Sequence, residues 1–263
     1  MLADTHCHLD FYAFDDDRQE VLARSWQAGV ERILDPGIHL VSSQKAVQLA
    51  EEHNQVYAAV GVHPNDAQSW EQDSLTRLKD LAGHPKVVAI GEIGLDYYRD
   101  RAPRDLQRRI LLEQLDLAAE LNLPVVIHNR QASADVMAIL AEWQAQLAAS
   151  GSGLAEQPGV LHSYSDNEEI ALRAIAHHFL IGFTGPVTFR NAPELQRVAA
   201  ALPLDHLLVE TDAPFLSPQP HRGRRNEPSF VRLIAEKIAE LHHVELDTVA
   251  RLTAANAARL FHW

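Results

Sequence analysis

Cysteine is almost absent from this chain of 263 residues, in which Cys7 is the single example. One cysteine excludes a disulfide within the chain and is typical of proteins that work in a reducing compartment. The start of the sequence lacks the basic and apolar regions of a secretory signal peptide. No apolar run approaches the ~18 residues that a membrane span needs. We therefore expect a cytoplasmic protein with no membrane segment.

Positive charge is scarce as well. The 23 Lys and Arg residues stand against 36 Asp and Glu residues, which gives a formal net charge of −13. This balance excludes a protein that coats duplex DNA through a broadly basic face. It leaves open a nucleic acid substrate held at one site, because bound divalent ions add positive charge where a phosphate would bind.

Eight short apolar segments alternate with amphipathic helical segments along the chain. The segments predicted as strands are 1–6, 30–34, 56–62, 87–93, 124–128, 159–162, 179–183 and 207–210. Leu, Ile and Ala recur at helical spacing between them, for example in 104–121 and 132–149. Eight such units predict the α/β class and a single (β/α)8 TIM barrel domain over 1–263, with 229–241 and 246–261 as extra C-terminal helices. A dinucleotide-binding sheet is disfavoured, because no Gly-x-Gly-x-x-Gly follows the first strand.

The predicted strands end in imidazole and carboxylate side chains. In chain order these residues are His6, His8, His63, Glu92, Asp96, His128, His162, Glu210 and Asp212. A barrel gathers the carboxyl ends of its strands at one mouth, where the active sites of this fold lie. His6 and His8 share one strand face, since side chains alternate along a strand, and can close on one divalent ion. Each histidine alone is typical of ordinary packing, but burying so many together is costly without metal or ion pairing.

These ordered motifs resemble those of the TatD-type metal-dependent deoxyribonucleases, a family of the amidohydrolase superfamily of barrels. The motifs that carry the resemblance are His6-Cys7-His8, Gly61-Val62-His63-Pro64, Gly91-Glu92-Ile93-Gly94-Leu95-Asp96, His128, His162, Glu210-Thr211-Asp212-Ala213-Pro214 and Asn226-Glu227-Pro228. The resemblance spans nearly the whole chain. Tyr164 is a mild departure, because relatives often carry Phe there.

The resemblance implies two divalent metal ions per subunit. Carried over by position, one ion has four ligands: His6, His8, Glu92 and Asp212. The second ion is held by His128 and His162, and Glu92 bridges the two, since each oxygen of a carboxylate can take one cation.

The bridging group and the metal follow from the residue types. Many amidohydrolases bridge their metals with a carboxylated lysine, but Lys86 lies at the start of the fourth strand, away from the strand ends. Glu92 is therefore the expected bridge. Mixed imidazole and carboxylate ligands suit zinc, manganese or cobalt, and magnesium fits less well.

The resemblance implies divalent-metal-dependent hydrolysis of phosphodiesters by a metal-activated water, in a deoxyribonuclease that works as a 3′–5′ exonuclease. Asp212 and Glu92 are the expected catalytic residues, with Asp212 orienting the water or accepting its proton. The expected partners are DNA ends, single-stranded DNA or a small phosphoester, with no obligate protein partner. Two alternatives stay open. One is a dinuclear amidohydrolase-type enzyme for a small phosphoester, lactone or amide, and the other is a non-catalytic metal-binding scaffold.

Three arginines in the loop after the last strand carry separate expectations. Arg225 is expected to clamp phosphate, because a guanidinium matches phosphate geometry. Arg222 and Arg224 are expected to be solvated loop charges, which is usual for such runs.

Three further residues at strand ends have open roles. His63 is expected to contact phosphate or to hydrogen-bond a ligand carboxylate, with a structural turn as the alternative. Asp96 is expected to position Arg225 or a ligand. Glu210 shares a strand face with Asp212 and is either a partner of a metal ligand or a paired core carboxylate.

Overall fold

Eight parallel strands form one sheet in sequential order in the computed structural model, which describes residues 1–99 and 101–263. The strands are β1 (Leu2–Asp4), β2 (Val30–Pro36), β3 (Val56–Val60), β4 (Val87–Asp96), β5 (Val125–Arg130), β6 (Gly159–Leu161), β7 (Leu180–Phe183) and β8 (Leu207–Val209). The first and last strands meet just beyond their ends. There the N–H of Asp212 donates to the His6 carbonyl at 2.8 Å, and the N–H of His8 donates to the Ala213 carbonyl at 2.8 Å. These bonds close the sheet, and the predicted barrel is confirmed.

A helix follows each strand on the outside of the barrel. The helices are α1 (Arg18–Gln27), α2 (Leu40–Glu52), α3 (Ser74–Ala82), α4 (Arg104–Leu121), α5 (Ser133–Ala149), α6 (Glu168–Ala176), α7 (Pro193–Ala201), α8 (Val231–His242) and α9 (Leu246–Phe261). Since α8 completes the eighth unit, α9 is the additional helix. None of these described helices has the length and apolar character that crossing a membrane requires.

The amino-terminal end of the barrel is filled by α9. Small and branched side chains from the strands meet this helix in one buried cluster: Ala3, Leu34, Ala59, Val88, Ala89, Val126, Val160, Leu180 and Leu208. The helix contributes Ala254, Ala257, Leu260 and Phe261 to the same cluster. Because side chains fill this end, an active site is expected at the opposite, carboxyl-terminal end of the strands, as in other barrels of this kind.

Local irregularity in β4 sets the position of Glu92. The pairing of β4 with β5 shifts register between Ile90 and Ile93, as at a β-bulge, which re-aims the side chains beside it. Two residues after Glu92, Gly94 has a φ of +147°, and a Cβ there would lie 1.9 Å from the His128 carbonyl oxygen. A side chain at Gly94 is therefore excluded, and the two strands approach closely enough to bring Glu92 beside His128.

We expect Phe261→Ala to lower the free energy of unfolding by about 3–5 kcal/mol, because this side chain is 2% exposed and fills the closed end of the barrel. Leu172→Ala is the matched control, since Leu172 is 46% exposed on α6, and it should change the value by less than about 0.5 kcal/mol. Urea unfolding followed by circular dichroism measures both. A loss for Phe261→Ala no larger than that of the control would contradict this role of α9.

Candidate metal centre

A cavity of about 750 Å³ opens at the carboxyl ends of the strands. Its floor carries imidazole and carboxylate groups from the ends of six strands: His8, His63, Glu92, Asp96, His128, His162 and Asp212. His6 lies beneath them and is fully buried. The structure thus brings every residue predicted as a metal ligand to one place.

Four predicted ligand atoms surround one point of this floor. The Nε2 atom of His6 lies 3.3 Å from His8 Nε2 and 3.4 Å from Glu92 Oε2. The Oδ1 atom of Asp212 lies 3.9 Å from His6 Nε2 and 3.5 Å from His8 Nε2. Four ligands placed tetrahedrally around a divalent ion such as zinc, at ~2.1 Å from it, are roughly 3.4 Å apart. His6, His8 and Asp212 therefore lie close enough together to hold one divalent ion, with Glu92 Oε2 beside the two histidines.

The two oxygens of Glu92 face different neighbours. Oε2 faces the His6 and His8 rings, whereas Oε1 lies 2.9 Å from His128 Nδ1. Across the floor, His162 Nε2 lies 3.7 Å from Asp212 Oδ1, and the His162 ring stacks on the His6 ring with centroids 3.4 Å apart. A carboxylate that presents one oxygen to each side has the geometry of a bridging ligand.

In three of these histidines the other ring nitrogen faces an acceptor. His8 Nδ1 lies 3.1 Å from a backbone carbonyl oxygen of β2. His162 Nδ1 lies 2.8 Å from Glu210 Oε1, and His128 Nε2 lies 3.4 Å from Asp96 Oδ2. An imidazole that donates from one nitrogen keeps a lone pair on the other, which is how protein ligands to metals are oriented. This arrangement turns the second nitrogen of each of the three rings towards the floor, where a metal would bind it in place of a proton.

His63 has the opposite arrangement. Its Nδ1 accepts the backbone N–H of Asn65 at 3.0 Å, so the neutral ring carries its proton on Nε2. Burial lowers the pKa of His63 to about 3, which keeps the ring neutral. Its Nε2 lies 3.6 Å from Glu92 Oε1. Although it lies within reach of a metal, His63 is oriented as a hydrogen-bond donor towards this carboxylate and not as a ligand.

Burial and neighbouring charges set the protonation of the cluster. Burial lowers the pKa of His6 to about 4. Burial also disfavours charged His8, but the carboxylates of Asp212 and Glu92 outweigh it and raise the pKa of His8 to about 9. Burial opposes ionisation of Glu92, yet the imidazoles around it hold its pKa well below the usual range. The ionised Glu92 carboxylate beside the neutral His6 ring is suited to receive a cation, and the raised pKa of His8 means that this ring gives up a proton when it binds one.

The turn that carries Asp212 is held in place by Asp4, a residue that the sequence pattern does not single out. Asp212 itself adopts a φ of +57°, in the left-handed region that Asp tolerates better than most residues. The preceding residue, Thr211, donates its N–H and hydroxyl to the Asp4 carboxylate at 2.8 and 2.6 Å. Burial raises the pKa of Asp4 to about 8. The available signal was a carboxylate at the end of a buried strand, directly before the His6-x-His8 pair.

Glu210 lies directly behind the ligand ring of His162. It is fully buried and accepts the N–H of Ser163 at 2.6 Å and the hydroxyl of Thr5 at 3.2 Å. A Cβ at Gly182 would lie 2.4 Å from Glu210 Oε1, so the glycine of β7 makes room for this carboxylate. The structure therefore places Glu210 as the partner of His162.

The structure corrects the expected phosphate contact of Arg225 and, of the two roles expected for Asp96, favours the positioning of a ligand. Arg225 does not line the cavity, because both oxygens of the Asp17 carboxylate accept from its guanidinium at 2.7 and 2.6 Å. Asp96 does not contact Arg225 either. Its carboxylate lies beside His128 and accepts from the Asn65 side chain at 3.0 Å, so it positions a predicted ligand.

Five exposed arginines line the rim of the cavity instead: Arg99, Arg101, Arg130, Arg222 and Arg224. Arg222 and Arg224, which the sequence pattern suggests are merely solvated, are among them. Within the described ranges, none of the five has a carboxylate within 4.0 Å. Two of them lie over aromatic rings, Arg130 over Tyr98 and Arg222 over Phe189. The rim is thus cationic in a chain that is acidic as a whole.

Comparisons with known proteins match the whole chain. A family model described as TatD related DNase matches residues 3–262. The chain is 43% identical over 261 residues to the uncharacterized metal-dependent hydrolase YabD of Bacillus subtilis, with 99% of both chains covered. It is 40% identical over 255 residues to the 3′-5′ ssDNA/RNA exonuclease TatD of Cronobacter sakazakii, covering 94% of this chain and 93% of the relative. The crystal structure of YJJV, a TatD homolog of Escherichia coli K12, has a TM-score of 0.92 and 32% identity, covering 100% and 98%.

We expect Glu92→Ala to remove bound metal, because both oxygens of this carboxylate face predicted ligands. His63→Ala is the matched control and should keep the wild-type metal content, since His63 is oriented as a donor. Metal content after reconstitution and gel filtration, measured by mass spectrometry, checks both variants. Unchanged content in Glu92→Ala would rule out the bridge, and a loss in His63→Ala would make His63 a ligand.

Proposed function

The chain belongs to the TatD related DNase family, and on that premise we propose that it is a metal-dependent phosphodiesterase that shortens single-stranded nucleic acid from its 3′ end. The observation that carries the proposal is the cavity itself, whose floor fits divalent ions and whose rim presents five arginines. A floor of this kind suits hydrolysis of an ester, and a cationic rim suits a substrate with several phosphates.

The proposed centre holds two divalent ions, with zinc, manganese or cobalt favoured over magnesium by the donor types. The first ion has four proposed ligands: His6, His8, Glu92 and Asp212. The second is held by His128 and His162, with Glu92 bridging. When bound, such ions lower the pKa of a water molecule and withdraw charge from phosphoryl oxygens.

The side chains around this centre have distinct proposed roles. The Asp212 side chain is 15% exposed, against 4% for Glu92, so it is the ligand carboxylate with most access to the cavity. It orients the attacking water and accepts its proton. His63 Nε2–H faces Glu92 Oε1 at 3.6 Å and is available to donate to a phosphoryl oxygen. Asp96 and Glu210 lie behind His128 and His162 and orient these two rings towards the centre.

The substrate class follows from the charge of the rim. In a protein with a net charge of −13, five arginines without carboxylate partners in the described structure lie around one opening. Guanidinium groups bind phosphate oxygens in bidentate fashion, and several of them favour a substrate that continues beyond the hydrolysed phosphate. Single-stranded DNA ends fit this requirement better than a lactone or an amide, which carries no phosphate. In this proposal residues 1–263 act as one barrel domain. The cytoplasmic location of the protein stays a prediction.

We expect the metal-reconstituted protein to shorten a 5′-labelled single-stranded oligonucleotide from its 3′ end, as a ladder of products on a denaturing gel. Asp212→Asn should lower kcat by about 10²–10⁴, the usual contribution of a general base. A panel with a phosphoester, a lactone and an amide is assayed alongside. Turnover of the lactone or amide alone would favour the small-molecule hydrolase, and no turnover with Zn, Mn, Mg or Co would favour the metal-binding scaffold.

We expect the double variant Arg222→Ala/Arg224→Ala to raise KM for oligonucleotides and to weaken its dependence on salt. Each lost contact between an arginine and a phosphate should reduce the slope of log KM against log salt by about 0.7. Arg225→Ala is the matched control from the same loop, because Arg225 is paired with Asp17 and lies off the cavity. Steady-state kinetics at several salt concentrations measure the slopes. Equal slopes for wild type and the double variant would show that these two arginines do not contact phosphate.

A further inference from the structure

An aromatic pair lies at the mouth of the cavity, beside the proposed metal centre. Phe215 is 49% exposed and Phe11 is partly buried, and both line the cavity. Their rings meet edge to face, with centroids 5.6 Å apart. Phe11 stacks on the His8 ring at 4.9 Å, and the Phe215 centroid lies 6.2 Å from that ring. The aromatic pair is therefore in direct contact with His8, a proposed metal ligand.

The backbone that presents Phe215 is fixed on both sides. Its N–H donates to the Asp212 carbonyl at 2.8 Å, and its carbonyl accepts from the Asn226 side chain at 2.6 Å. Asn226 is fully buried and also donates to the Thr211 carbonyl at 2.8 Å. A large apolar ring held on a fixed backbone and left half in solvent is not explained by core packing. Such a ring is a preorganised contact surface, since little conformational freedom remains to be lost on binding.

The charged residues near the two phenylalanines indicate which kind of ligand binds over them. Arg222 and Arg224 follow Phe215 in the same loop and line the same cavity, so one loop presents an apolar ring together with two cations. A nucleotide has the matching features, a flat base with two apolar faces and an anionic phosphate. Stacking of bases on aromatic side chains tolerates any sequence, because every base has such a face.

We propose that Phe215, with Phe11 packed edge to face against it, forms a platform on which the base of the strand's terminal nucleotide stacks while its phosphodiester lies over the proposed metal centre. This inference rests on the proposed function. It assigns the terminal base of the substrate to the wall of the cavity that Phe11 and Phe215 form. A base inside a duplex is covered by its neighbours and must leave the stack to reach the rings. The platform therefore selects unpaired ends over paired ones and discriminates little among the four bases.

The test compares Phe215→Ala with wild type on two oligonucleotides, one with a normal 3′-terminal nucleotide and one whose terminal residue is an abasic tetrahydrofuran. Loss of the ring should lower kcat/KM for the normal end roughly 5- to 100-fold, the range for one stacked base. It should leave kcat/KM for the abasic end unchanged, because no base is there to stack. Phe215→Trp should restore most of the activity on the normal end.

Tyr12→Ala is the control for the loss of an exposed ring, since Tyr12 is 85% exposed next to Phe11 but does not line the cavity. It should change neither substrate's kcat/KM. An equal loss on both substrates for Phe215→Ala would mean that the ring only supports His8 and its neighbours. No loss on either substrate would also overturn the platform.

A binding measurement separates this inference from the proposed function. An oligonucleotide with 2-aminopurine at its 3′ end should lose fluorescence on binding to the metal-free wild-type protein, because stacking quenches this base. The loss should be markedly smaller with Phe215→Ala. If wild-type protein cleaves no oligonucleotide but still quenches the probe through Phe215, the proposed function fails and the platform stands. If wild-type protein cleaves oligonucleotides and both proteins quench the probe equally, the proposed function stands and the platform fails.

Discussion

The Glu92 carboxylate is the group on which the rest of this site depends. It is almost fully buried, and its two oxygens face different sets of imidazoles, with Oε2 3.4 Å from His6 and Oε1 2.9 Å from His128. A buried charge of this kind is costly unless it is paired or binds a cation. The register shift in β4 and the close approach at Gly94 bring it there. The irregular geometry of β4 therefore positions the Glu92 carboxylate.

A second layer of carboxylates holds the first in position. Asp96 lies behind His128, Glu210 lies behind His162, and Asp4 fixes the turn that carries Asp212. Thr211 donates to Asp4, and the other two acids lie 3.4 and 2.8 Å from a ring nitrogen of the histidine in front of them. Such outer partners fix tautomers and ring orientation, and without them the ligands would be free to rotate. The metal centre is thus a property of two layers of residues.

Charge is distributed unevenly between the body of the protein and its cavity. The chain carries a net charge of −13, yet five arginines surround the opening, and the aromatic pair of Phe11 and Phe215 forms one of its walls. In the proposed function, the acidic body repels long stretches of nucleic acid, while the rim attracts a strand end. This combination favours capture of ends over coating of a duplex, and it agrees with a base platform beside the proposed metal centre.

The sequence by itself determined the eight βα units and the histidines and carboxylates at their carboxyl ends, because periodicity is local and a barrel gathers strand ends at one mouth. It did not determine which loop side chains face the cavity. Arg225 is turned away by Asp17, which lies 208 positions earlier in the chain, while Arg222 and Arg224 turn in. Likewise, the donor role of His63 depends on one backbone N–H. The contact of Arg225 with Asp17 joins residues distant in sequence, and the His63 ring is set by the conformation of the turn to Asn65, so only the tertiary structure decides these orientations.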